Sequence, residues 1–276
     1  MTVAGACASI DLAVKFKGPM GFVLAAILIV IVGVGYTIFN PQFGGAIPFM
    51  VVGLLIVLLM YVAWAHNQRR AALLVRVAQG LGLEPFDADT AKLRALYGWD
   101  PVLGLNKGGV AKPSYGGVVR GVRVEVHQHQ YTVHAGKATY SVVHMIGVMP
   151  APAWWPRTLI INRGLKGLIE KWKNKSEVRV EHAKFNKLFD VHAEDTEFAL
   201  AVLSEEMQTH LERLKSPASF EIRQGTIVWK TRTRLTPESI VPFVESGLRF
   251  AELIPAEVWG DQGAHEINEA ADQRAS

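Results

Sequence analysis

Phe22-Val-Leu-Ala-Ala-Ile-Leu-Ile-Val-Ile-Val-Gly-Val-Gly-Tyr-Thr-Ile-Phe39 and Ile47-Pro-Phe-Met-Val-Val-Gly-Leu-Leu-Ile-Val-Leu-Leu-Met-Tyr-Val-Ala-Trp-Ala65 carry no charged side chain. Each run is about 18–20 residues, enough helix to cross about 30 Å of hydrocarbon. Backbone amides in lipid pair within their own segment, so runs of this length are read as helices despite their β-branched content. Asn40-Pro-Gln-Phe-Gly-Gly45 between them is uncharged and holds a helix stop, Pro41, and turn glycines, Gly44 and Gly45. The pair predicts a transmembrane helical hairpin over 21–66, with spans at about 22–39 and 47–65.

Working outward, Lys15 and Lys17 precede the first run, and Arg69, Arg70 and Arg76 follow the second. The positive-inside rule puts both flanks, and with them both termini, in the cytoplasm. A cleaved signal peptide is a poor reading, because the first apolar region is too long and no small-x-small site precedes the second. Gly33, Gly35 and Gly53 suit close helix packing within the hairpin or between copies. Neither span contains an ionisable group other than the phenols of Tyr36 and Tyr61, so two helices alone offer no transport path.

The chain has 276 residues, half of them hydrophobic, and a net charge of +4. That length accommodates the hairpin plus one domain of ordinary size. The modest positive charge suits anionic lipid headgroups better than nucleic acid. Cys7 is the sole cysteine, which excludes an internal disulfide and a cysteine zinc site.

Beyond the hairpin, helical periodicity continues through Leu73, Leu74, Val77 and Ala78 to Gly80 and Gly82, a juxtamembrane helix over 67–82. Asp89 caps a short predicted helix through Tyr97. Glycines and Pro113 read as loop from Gly104 to Gly117. Val122, Val124 and Val126 then alternate with Arg123, Glu125 and His127 in a half-buried strand, and Ala135–Gly136 turns it into the next. Further strands are predicted over Thr158–Asn162, Glu177–Val180, Phe220–Ile222 and Thr226–Lys230. Helices are predicted over Gly164–Lys173, from Asp195 to Leu203, after Ser204, and from Thr236-Pro237 to about Gly247. The fold class is therefore α+β: a hairpin in the membrane, then a mainly antiparallel sheet with packed helices over 83–258. Residues 1–20 are a cytoplasmic N-terminal segment, and 259–276 a polar tail expected to be disordered.

Phe185-Asn-Lys-Leu-Phe189-Asp-Val-His-Ala-Glu-Asp195, followed by Ala199, Leu203 and Leu211, resembles the signature of an uncharacterised bacterial membrane family, domain-of-unknown-function 3137. The resemblance covers about Gly104 to Lys230. It implies a cytoplasmic domain anchored in the bacterial inner membrane, and it brings no catalytic residues. Read physically, Phe185, Phe189 and Val191 are core, Asp195 is a cap, and Ala199 and Leu203 form a packed helix face.

Two patterns are candidate sites. Glu125, His127 and His129 share one face of an extended strand, within reach of a single zinc or iron ion, with His134 and His144 on adjoining segments. That pattern also suits an exposed polar face with charges paired across strands. The second is Gly164–Lys175: Leu165, Leu168, Ile169 and Trp172 form one helix face, with Lys166, Lys171 and Lys173 opposite. Trp154 and Trp155 would add a second interfacial contact. An ordinary surface helix explains the same spacing. Gly104–Gly109 lacks the lysine-serine ending of a phosphate loop, and no serine lies in a nucleophile elbow. No resident cofactor is expected. These residues suggest a docking or scaffold module that binds the bilayer, a protein partner or a second copy, and no nucleic acid. The alternatives are a metal-assisted hydrolase at Glu125, His127 and His129, or an accessory subunit of a larger membrane complex.

Overall fold

The computed structural model describes residues 21, 26–32, 46–88, 110–136, 138–165, 176–214, 216–223 and 225–260. It divides into two units, Met1–Arg70 and Ala71–Ser276.

In the first unit, residues 26–32 are helical and helix α1 (Ala46–Gly80) begins. Among the described residues one helix is long and apolar enough to cross a membrane, and none of its apolar window is buried. Val51, Leu55, Ile56, Leu58, Leu59 and Val62 are all exposed. A Cβ built on Gly53 would lie 3.1 Å from Ile29 Cγ2. The shorter helix thus packs against α1 where a glycine leaves room. Most of Phe22–Phe39 outside 26–32, with Gly33, Gly35 and the connecting turn, lies outside the described residues.

In the second unit, the end of α1 supplies Leu74 and Ala78 to the main core. Gly82, at φ +84°, turns the chain into β1 (Leu83–Phe86). β2 (Val110–Val119), β3 (Val122–Ala135) and β4 (Ala138–Pro150) form a meander. Its first turn is Arg120-Gly121, both at positive φ, as a two-residue hairpin requires. β5 (Thr158–Asn162) leads through a 3₁₀ turn, Arg163–Leu165, towards β6 (Ser176–Val178). Then come α2 (Ala183–Leu188), β7 (Phe189–Ala193), α3 (Thr196–Val202) and α4 (Glu205–Arg213). β8 (Ala218–Arg223), β9 (Thr226–Thr231) and α5 (Pro237–Glu252) complete the set, with a last helical turn over 256–260. The nine strands among the described residues join one antiparallel sheet in the order β1-β2-β3-β4-β9-β8-β5-β7-β6.

Local chemistry accounts for the helix starts. Asp195 Oδ1 accepts from the amides of Glu197 (2.9 Å) and Phe198 (3.1 Å), and Ser204 Oγ accepts from Met207 N at 3.2 Å. Thr236 and Ser239 exchange bonds in a capping box ahead of Pro237. The apolar faces of α2–α5 then cover one side of the sheet. Phe185, Val202, Met207, Leu211, Ile240, Val244 and Phe250 meet Val126, Met145, Ile160, Phe220 and Trp229.

Three expectations change. The loop read over Gly104–Gly117 contains most of β2, because its glycines serve close strand approach: a Cβ on Gly117 would strike the Gly82 carbonyl oxygen. The helix expected to stop near Gly247 continues to Glu252. Gly247 and Gly147 lie on either side of the Trp229 ring, where an added Cβ would come within 2.4 and 2.2 Å of it. Its glycine is a packing requirement, not a stop. Trp259 lies 4.6 Å from Trp155, ring centre to ring centre, so the folded part extends past 258. The helices predicted over 89–97 and 164–173, save Gly164 and Leu165, lie outside the described residues, as do 261–276.

Candidate functional site

On the side of the sheet opposite α2–α5, strand alternation collects polar groups. Glu125, His127 and His129 do share this face, and His129 stands opposite His144 across β3–β4. Lys230 and Glu221 continue it on β9 and β8, and His192 lies beyond on β7. The face is buried, not exposed: His127, His129, His144, Lys230 and Glu221 are at most 5% accessible. Ile146, Val148, Leu159, Ile161 and Val228 fill the space between them.

Some of these side chains bond to one another in short chains. Ser114 Oγ donates to Ala111 O at 3.0 Å, so its lone pair receives His127 Nδ1–H at 2.9 Å. His127 Nε2 faces Glu125 Oε2 at 3.6 Å. The His127 ring beside it, helped by Arg123, holds the Glu125 carboxyl below its ordinary range against the opposing effect of burial. Arg157 Nε donates to Glu221 Oε1 at 2.6 Å. His144 lies flat on Tyr131, and burial, Lys230 and His129 push its pKa down to about 3, with a backbone bond to Thr231 pulling the other way.

A serine, a histidine and a carboxylate in sequence resemble a nucleophilic triad. Here the serine proton is committed to a backbone carbonyl and Ser114 is itself buried. As for a metal, no three His, Cys, Asp or Glu side chains among the described residues come together as ligands. His127 Nδ1 is engaged with Ser114 Oγ at 2.9 Å. Among the lipid-interface candidates, Trp154 is exposed. Trp155 is a correction: it is 3% accessible, donates Nε1–H to Val258 O at 3.0 Å and packs on Phe198 and Trp259. Lys166, Lys171, Trp172 and Lys173 lie outside the described residues.

A groove that the sequence reading did not find lies between α4 and α5, with a volume of about 770 Å³. That is the range of small-molecule sites. Met145 and Phe243 are part of its apolar lining, and Leu214 and Pro242 border it. Arg120, Arg249, Glu245 and Glu252 form one wall, with Arg120 bonded to Glu245 at 2.7 Å and Arg249 to Glu252 at 3.2 Å. His210 and Arg213 come from α4. Burial lowers the His210 pKa, a backbone bond to Ser246 opposes this, and Arg249 reinforces it. These residues come from the β2–β3 turn, β4, α4 and α5, so no local motif announces them. The one signal was the spacing of Glu238, Glu245, Arg249 and Glu252 along a single helix.

With this geometry in view, residues 145–228 match the model of a family described as a protein of unknown function, DUF3137. The matched stretch is shorter than the resemblance read from sequence: it starts within β4 and ends within β9. It holds Phe185, Phe189 and Asp195, the Arg157–Glu221 pair and the α4 wall of the groove, while β1–β3 and α5 fall outside it. Among solved structures, the crystal structure of the mycobacterial trehalose monomycolate transport factor A, TtfA, is similar at a TM-score of 0.47 and 12% identity, over 68% of this chain and 93% of that one. No curated protein matches the chain.

Proposed function

We propose that this DUF3137 protein is a membrane-tethered docking module. Its anchor is a hairpin of about 22–39 and 47–65, both termini lie in the cytoplasm, and the α+β domain offers the α4–α5 groove to a partner. One observation carries this reading. A single 35-residue helix begins with exposed aliphatic side chains and ends with Leu74 and Ala78 in the core of the folded unit. An exposed apolar surface of that size is costly in water and stable in lipid. The contact of Ile29 with Gly53 supports a second helix beside the first. A scaffold role, alone or as an accessory subunit, fits a domain that presents an amphiphilic groove between α4 and α5.

Membrane fractionation of the full chain tests the anchor. The protein is expected in the pellet after carbonate washing, with its C-terminal domain resistant to protease added outside intact cells. Recovery in the soluble fraction, or removal of that domain by external protease, refutes the tether. Crosslinking in intact cells followed by mild-detergent purification tests docking. A chain that forms no crosslink to any partner or second copy at stoichiometric yield refutes that half.

A further inference from the structure

The α4–α5 groove is amphiphilic in an ordered way. Met145 and Phe243 are buried at its base, and Leu214 and Pro242 extend that apolar lining. The acidic groups on its walls are already engaged. Glu245 is held by Arg120, Glu252 by Arg120 and Arg249, and Glu238 has a partner of its own. Arg213 differs: it is exposed at the end of α4 and meets no carboxylate among the described residues. Beside it in the lining, His210 bonds to the Ser246 backbone, while its Nε2 is buried without a hydrogen-bond partner. A guanidinium free to form a bidentate bond and an imidazole nitrogen free to accept a proton suit the same head: an oxyanion that also carries an O–H.

We infer that this groove binds an anionic amphiphile, with a phosphate-type head held by Arg213 and His210 and an aliphatic chain laid over Met145, Leu214, Pro242 and Phe243. Charge complementarity selects the head, because Arg213 is the wall cation left without a counter-ion among the described residues. The apolar lining selects the tail, because a free phosphate would leave the accessible Leu214 and Pro242 facing water. The inference deepens the docking reading by naming the chemistry of its groove. It fails separately from the tether, since the membrane test above does not involve the groove.

Calorimetric titration of the full chain in nanodiscs tests it, with water-soluble dihexanoyl phosphatidic acid as probe. Dihexanoyl phosphatidylcholine and inorganic phosphate separate the head from the tail. Saturable binding of one phosphatidic acid per chain is expected, with at least tenfold weaker binding of each of the other two. Arg213→Glu should weaken phosphatidic acid binding at least tenfold. Ser246→Trp, which fills the groove from α5, should abolish it. Arg213 is exposed, so its variant tests the inference even where the tryptophan variant does not fold. Equal heats for both variants and the parent chain would mean partition into the nanodisc and overturn the site. Inorganic phosphate binding as tightly as the lipid overturns the tail, and equal binding of the choline lipid overturns the charged head.

Discussion

His144 makes the folded domain sensitive to mild acid, and the size of the effect follows from its surroundings. The ring is 5% accessible, lies on Tyr131 and has Lys230 and His129 as neighbours, so protonation is held off until about pH 3. In the unfolded chain the same ring titrates near 6.5. Above 6.5 both states are neutral and the residue contributes nothing to pH dependence. Between 6.5 and about 3 the unfolded state binds a proton that the folded state refuses, so stability rises with pH and is lost on acidification. The slope is about 1.4 kcal/mol per pH unit, or about 2 kcal/mol between pH 6.5 and 5. That is a sizeable share of the ~5–15 kcal/mol that holds a domain together. His144→Phe keeps a flat ring for Tyr131 and removes the titration. Urea unfolding of the full chain in detergent, followed by tryptophan fluorescence at pH 7, 6 and 5, is the assay. The parent should lose about 2 kcal/mol more than the variant between pH 7 and 5. Glu125 and Glu212, whose carboxyls are held low by their partners, titrate below this window and are common to both proteins. Parallel pH profiles for parent and variant would refute the argument.

Three other perturbations probe separate parts of the molecule. Gly247→Ala places a methyl within 2.4 Å of Trp229, whose Nε1–H is fixed on Phe243 O at 3.0 Å, so a loss of at least about 1–3 kcal/mol is expected in the same urea assay. Unchanged stability would mean that the ring is free to move. Glu221→Leu removes the carboxylate that Arg157 Nε bonds at 2.6 Å and should cost about 3–5 kcal/mol, whereas the double variant Arg157→Met/Glu221→Leu should recover most of it; a double variant as unstable as the single one would count against this pair as the source of the loss. Leu58→Arg, in the exposed apolar stretch of α1, carries an insertion cost of about 2.5–3.5 kcal/mol and should lower the membrane-bound fraction; full retention in the membrane would argue against this stretch as a span.

What sequence reading recovered was what short-range chemistry specifies. Asp195, Ser204 and Thr236 were legible as caps because a cap is decided within three residues of itself. β5 was legible to the residue because its aliphatic run is bounded by turn signals. The strand around Val124 was legible as alternation, but its polar side was taken as open to solvent or metal, and it is interior. Alternation reports that two faces differ. It does not report that both are covered, which depends on the elements packed there. β2 and the true end of α5 were lost for one reason: a glycine that lets a distant backbone or ring approach looks, in one dimension, like a glycine that breaks an element. The groove was lost because Arg120 and Arg213 are brought together by the fold, with more than ninety residues between them.

The two sides of the sheet divide the work of specifying this fold. Towards α2–α5, burial is apolar and tolerant: Val, Ile, Leu and Phe exchange with modest losses so long as volume is conserved. On the other side, Ser114, His127, Arg157 and Glu221 fit only in the register that brings each to its partner. A one-residue slip of β3 against β2 would turn His127 away from Ser114 and carry it to the apolar side. A slip of β8 would leave Glu221 charged among aliphatic side chains without Arg157. The polar face therefore acts against wrong pairings in a nine-stranded antiparallel sheet, where strands of similar composition would otherwise compete. That accounts for the fixed register of a row of histidines and an ion pair buried in the sheet.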